Sequence, residues 1–114
     1  MGETMIIQHK DLADGRWARM PFYEQMANIG SEVSRALNWR KKNNTEMSQK
    51  AVVRALELLD LSLGCASPYP KIKELARLRE ALVDYFYGSN EFSSSELLWR
   101  NYFDHFAYLS RRRR

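Results

Sequence analysis

Apolar residues recur along this chain at steps of three and four, and no segment keeps the alternation of a half-buried strand. Phe22, Met26, Ile29, Val33, Ala36 and Leu37 form the first stripe. Pro21, just ahead of it, suits a first helical position because proline has no amide hydrogen to satisfy. Lys41 and Lys42 complement the negative pole of the helix dipole at the far end. A helix is therefore predicted from Pro21 to about Lys42. Gly30 within it costs about 1 kcal/mol relative to alanine, and its expected use is to let a neighbouring helix approach closely. Asn43, Asn44 and Thr45 break the pattern and supply the next N-cap. Met47, Ala51, Val52, Ala55, Leu56, Leu59 and Leu63 then form a second stripe, with Gly64 as its stop.

The run "CASPYP" (65–70) reads as a linker, because each proline disfavours helix at the residue before it. A third helix follows from about Lys71 to Tyr87, with Ile72, Leu75, Leu78 or Arg79, Leu82 and Phe86 on its inner stripe and Gly88 at its end. Ser93 to Glu96 has the serine-to-glutamate spacing of a capping box and opens a fourth helix to about Ser110. The expected fold is all-α, an up-and-down four-helix bundle with an irregular N-terminal segment. A solenoid would need its repeat three times or more, which this chain lacks. The expected organisation is an irregular segment over 1–19, the bundle over 20–110 and a basic tail over 111–114. Asp14-Gly15 reads as a turn, and Trp17 as an aromatic anchor laid against the bundle.

Composition changes this picture little. At 114 residues the chain is one domain, and 45% apolar with 28% charged residues is ordinary for a soluble globular protein. A single cysteine, Cys65, excludes an internal disulfide. No apolar run reaches bilayer length and no export signal opens the chain, so the expected location is the cytoplasm, away from membranes. Charge is more informative. The net charge is +4, and the last four residues are Arg111, Arg112, Arg113 and Arg114. Without them the chain is balanced, so any attraction to nucleic acid is concentrated there. A solvated, frayed terminus is the plainer reading of the same arginines.

Most chemistry can be set aside. The aromatic residues of the last helix fall mainly on one face, where Leu98, Tyr102, Phe106 and Leu109 are flanked by Trp99 and Phe103, so they read as core and not as stacking platforms. A di-metal carboxylate centre needs Glu-x-x-His pairs on two helices. Here His105 has Tyr102 three residues ahead of it, and His9 lies in the irregular segment. No phosphate-cradling glycine loop or oriented nucleophile is visible, and no metal or cofactor is expected. Carboxylates such as Glu32, Glu57, Asp60 and Glu80 sit within a turn of a cation, as solvated ion pairs do.

One stretch remains, "LWRNYFDH" (98–105). On a wheel centred on Leu98 and Tyr102, Arg100 points outward with Asn101, Asp104 and Tyr108, and His105 sits at the border. The plain reading is an Arg100–Asp104 ion pair on a wet face. Yet Arg100-Asn101-x-x-x-His105 resembles the R-[N/D/H]-x-x-x-H signature of the HEPN superfamily, small helical bundles that include metal-independent endoribonucleases. The resemblance implies a homodimer whose motifs meet across a polar cleft, RNA as substrate, and often a nucleotidyltransferase-type antitoxin as partner. It implies His105 as general base toward a ribose 2′-hydroxyl, Arg100 holding charge on the scissile phosphate, and Asn101 orienting one of them. Tyr108 stands three residues past His105, where some members of that superfamily carry a tyrosine two residues past. The competing expectation is a non-catalytic interaction module that presents its outer helix faces or its arginine tail to a partner.

Overall fold

A computed structural model describes residues 15–65 and 69–112, apart from the side chain of Tyr69. His9, Asp14, Pro68, Arg113 and Arg114 lie outside the described residues, so the expectations resting on them do too. The described residues form five helices and no strand: α1 (Trp17–Arg19), α2 (Phe22–Lys41), α3 (Thr45–Cys65), α4 (Tyr69–Tyr87) and α5 (Glu96–Arg112). None of them is long and apolar enough to cross a membrane.

Local chemistry sets the helix ends. The Pro21 carbonyl accepts the amides of Glu24 and Gln25, opening α2. Asn43, with a left-handed φ of 61°, closes it. The Asn43 amide then bonds to Arg40 and the Asn44 amide to Trp39, which satisfies carbonyls that have no partner further along the helix. Asn44 in turn caps α3, its side-chain oxygen accepting the Met47 amide at 3.1 Å. Several expected boundaries shift. Pro21 caps α2 from outside instead of being its first residue, and α5 runs past Ser110 to Arg112, into the expected basic tail. Helix α3 runs past Gly64 to Cys65, and α4 starts at Tyr69, directly before Pro70. Proline is tolerated there because first-turn amides have no carbonyl to reach. The serine cluster also works differently from a capping box. Ser95 Oγ accepts the Leu98 amide, so Ser95 is the cap and Glu96 the first helical residue, free for other partners.

Neighbouring helices run antiparallel, as paired contacts show. Glu32 meets Arg54 while Gln25 meets Ser62 across α2 and α3. Lys41 meets Glu96 while Phe22 meets Phe106 across α2 and α5. Glu74 meets Tyr102 while Tyr85 meets Trp99 across α4 and α5. Helix α2 packs closely on both α3 and α5, whereas α4 and α5 approach less closely than α3 and α4 do and are bridged by large aromatic side chains. The core follows the predicted stripes of α2, α3 and α4: Met26, Ile29, Val33, Leu37, Ala55, Leu59, Leu75 and Leu82 are buried.

Trp17 is the anchor expected of it. Its indole nitrogen donates to Ser62 Oγ at 2.8 Å, and that hydroxyl donates to Gln25 Oε1 at 2.8 Å. Gln25 Nε2 returns a bond to the Trp17 carbonyl at 3.0 Å. This circuit satisfies each buried polar group at the junction of α1, α2 and α3. Gly30 also does what was expected. A Cβ there would lie 2.7 Å from Phe103 Cβ and 2.8 Å from its ring, so α5 rests directly on the α2 backbone.

Candidate functional site

The orientation of α5 decides the site, and it differs from the wheel drawn on sequence alone. Trp99 and Phe103 are buried, while Leu98 is 50% exposed. Tyr102, Phe106 and Leu109 are half-buried. At about 100° per residue, the buried direction, one residue on from the predicted one, lies about 100° from it. The cause is Gly30, which opens a slot on α2 only where Phe103 can enter. Trp99, one turn earlier, follows it and stacks on Phe103.

That rotation carries Arg100 from the expected outer face to the seam with α2. Its Nε donates to Glu96 Oε2 at 2.8 Å, Nη1 to Ser34 Oγ at 3.1 Å and Nη2 to Asn38 Oδ1 at 2.8 Å. Lys41 Nζ lies 3.4 Å from the same Glu96 oxygen. The Arg100 hydrogen bond, reinforced by Lys41, holds the Glu96 carboxyl below the usual glutamate range. The ion pair of Arg100 is therefore with Glu96, and Asp104 stays exposed without it. A cavity of about 420 Å³ opens beside the arginine, lined by Gly30, Ser31, Ser34, Asp104 and Ala107 among others.

His105 lies elsewhere. It is exposed, with its ring edge-on to Phe106 at 5.3 Å, and no carboxylate orients it among the described residues. Five residues separate it from Arg100, an angle of about 140° around α5. Within one chain the two side chains do not share a site. Asn101 is exposed on the outer face. Arg111 and Arg112 are exposed in the last turn of α5, where their charge complements the helix dipole, and Arg112 Nη1 donates to the Tyr108 hydroxyl at 3.3 Å.

The sequence reading missed Ser34, Asn38 and Glu96 as partners of Arg100, and Lys41 as the second cation on Glu96. Part of the signal was present: Glu96 stands four residues before Arg100, and Ser34 and Asn38 are four apart on one side of α2. On the opposite flank, Tyr102 donates to Glu74 Oε2 at 3.0 Å across the α4–α5 seam. Burial, then the Glu74 charge, pushes the Tyr102 phenol above the ordinary tyrosine range. The buried Trp99 indole N–H has no acceptor among the described residues. Among the described residues no cluster of His, Cys, Asp or Glu could hold a metal ion. In comparison with known proteins, no family model, no curated protein and no solved structure matches this chain.

Proposed function

We propose that this chain is an up-and-down four-helix bundle, HEPN-like and cytoplasmic, that binds RNA at the end of the molecule where α5 finishes. The observation carrying this reading is a group of cations without acidic partners among the described residues: Arg16, Arg19, Lys71, Arg111 and Arg112. The fold gathers them. Lys71 lies 4.8 Å from the Phe22 ring, and Phe22 packs edge-on against Phe106 of α5. Trp17, between Arg16 and Arg19, is tied to Ser62 near the same end. Tyr108, 51% exposed beside Arg112, offers a face on which a base can stack.

Cleavage belongs to the same proposal only for two copies together, since one chain holds Arg100 and His105 on different flanks. In such a homodimer His105 takes the 2′-hydroxyl proton. The 2′-oxygen bonds to phosphorus as the bond to the 5′-oxygen breaks, and the 5′-oxygen leaves with a proton from water, giving a 2′,3′-cyclic phosphate. Arg100, through its two remaining N–H groups, steadies the phosphate. A nucleotidyltransferase-type partner fits this reading. The test is binding of single-stranded RNA across a salt series, with Arg111→Ala/Arg112→Ala alongside. Each lost phosphate contact flattens the slope of log K against log salt by about 0.7. Binding that ignores both salt and the double substitution overturns the reading. Incubation with RNA in excess EDTA, with Arg100→Ala and His105→Ala, decides the cleavage step, which is abandoned if RNA stays intact throughout. A second reading, a non-catalytic adaptor, is favoured by the open seam between α4 and α5.

A further inference from the structure

We infer that the groove between α4 and α5 is a docking site for an amphipathic helix of a partner protein, with apolar anchors on one face and acidic side chains beside them. This stands apart from the RNA reading, because it uses the other flank of α5.

The groove, of about 470 Å³, lies between α4 and α5, whose backbones approach less closely than those of α3 and α4. Leu78 and Trp99 form its floor, and Leu98 and Phe92 its open apolar rim. Both rim residues are exposed, Leu98 by 50% and Phe92 by 60%. Their exposure is built into the local structure. The Asp84 carboxylate accepts the amides of Glu91 and Phe92 at 2.8 and 3.0 Å, fixing the loop that displays Phe92. Asn90 pins the same loop by exchanging two hydrogen bonds with Ser94, both 2.9 Å. An apolar knob held in place loses little freedom when a ligand covers it.

Charge selects the occupant. Lys73 and Arg77 stand one turn apart on the α4 wall, exposed and without an acidic partner among the described residues. Glu74, between them, is engaged by the Tyr102 hydroxyl. An apolar channel whose wall carries two cations against the single Glu74 carboxylate complements a helix bearing leucine-like anchors at three- and four-residue spacing and carboxylates on one flank. A basic helix would face both cations and find only Glu74, one oxygen of which already accepts the Tyr102 hydroxyl.

The test uses the full chain and a fluorescein-labelled amphipathic peptide of about four helical turns. It carries leucines at three- and four-residue spacing and glutamates on one flank. A second peptide has lysine in place of each glutamate. The acidic peptide is expected to bind at least about tenfold more tightly, and Lys73→Glu/Arg77→Glu to invert that preference. Leu98→Ser, a surface change, should weaken binding about tenfold without altering the helical spectrum. In a nitrogen-15 correlation spectrum the Trp99 indole resonance should move on binding while that of Trp17, bonded to Ser62, stays. Equal binding of the two peptides, no binding of either, or a preference that survives the charge reversal overturns the proposal. So does a concentration-dependent dimer in which Leu98 is protected, since the occupant would then be a second copy.

Discussion

Replacing Gly30 with alanine tests the packing that orients α5. The new methyl carbon would sit 2.7 Å from Phe103 Cβ and 2.8 Å from Cγ and Cδ1. Carbon pairs are comfortable at about 3.5–4.0 Å, so the local gap must widen by about 1 Å. The side chain cannot rotate out of the way, because its Cβ is fixed to the α5 backbone and is itself the closest atom. The helices must separate, at the roughly 1–3 kcal/mol typical of overpacked cores. Separation also lengthens the Arg100 bonds to Ser34 and Asn38, now 3.1 and 2.8 Å. Weakening two such bonds adds about 1 kcal/mol. Alanine returns about 1 kcal/mol through better helix propensity. The net expectation is a loss of about 2 kcal/mol, or roughly 10 °C in melting temperature for a domain of this size.

The assay is urea or thermal unfolding followed at 222 nm, with Phe103→Gly and the double variant beside it. With Phe103 reduced to glycine its Cβ is gone together with the ring, and Gly30→Ala should become neutral or stabilising. The coupling between the two sites would then be positive and at least about 1 kcal/mol. A Gly30→Ala protein that is as stable as the parent, or a double variant showing simple additivity, would refute the close α2–α5 contact and the orientation of Arg100 with it.

Other expectations follow from single groups. Because Glu96 titrates below the ordinary 4.5 in the folded protein, its contribution exists above that pH and disappears as pH falls through the lowered value. The melting-temperature gap between parent and Glu96→Gln should thus be open near pH 7 and narrow progressively as pH falls below 4.5. Tyr102 titrates above the ordinary 10.0, so the folded state holds its proton longer and stability falls as pH rises past 10.0. Tyr102→Phe should flatten that alkaline decline in a pH series of urea midpoints. Ser62→Ala leaves the buried Trp17 donor and Gln25 acceptor unpaired, and should lower unfolding free energy by about 2–3 kcal/mol with an unchanged urea slope.

The helices were legible because each of the first three stripes carries enough aliphatic residues at helical spacing to leave one choice of inner face. Met26, Ile29 and Val33 on α2 or Leu75, Leu78 and Leu82 on α4 are buried as their spacing requires. Caps were legible where one side chain decides them, as at Asn44. They were misplaced where two serines competed. Ser93 takes a left-handed φ of 55° in the loop, which leaves Ser95 to cap α5.

Helix α5 was the exception, and the reason bears on the site itself. Its apolar face is broad: Leu98, Tyr102, Phe106, Trp99 and Phe103 spread over about 140° of the wheel, so the spacing does not fix which edge of that arc meets the core. A wheel weights Leu98 like Trp99, whereas burial goes to the side chain for which the facing helix has room. That room is a missing Cβ on Gly30, seventy-three positions away in the chain. Once Phe103 enters it, two consequences follow together. Arg100 turns into the α2 seam and is held there by Glu96, Ser34 and Asn38, while Leu98 turns out beside Phe92 at the α4 seam. The quieting of the motif arginine and the opening of the apolar groove are thus one rotation seen from two flanks. A variant that moves α5 should alter both, and one that alters only one of them would separate what a single contact is here held to set.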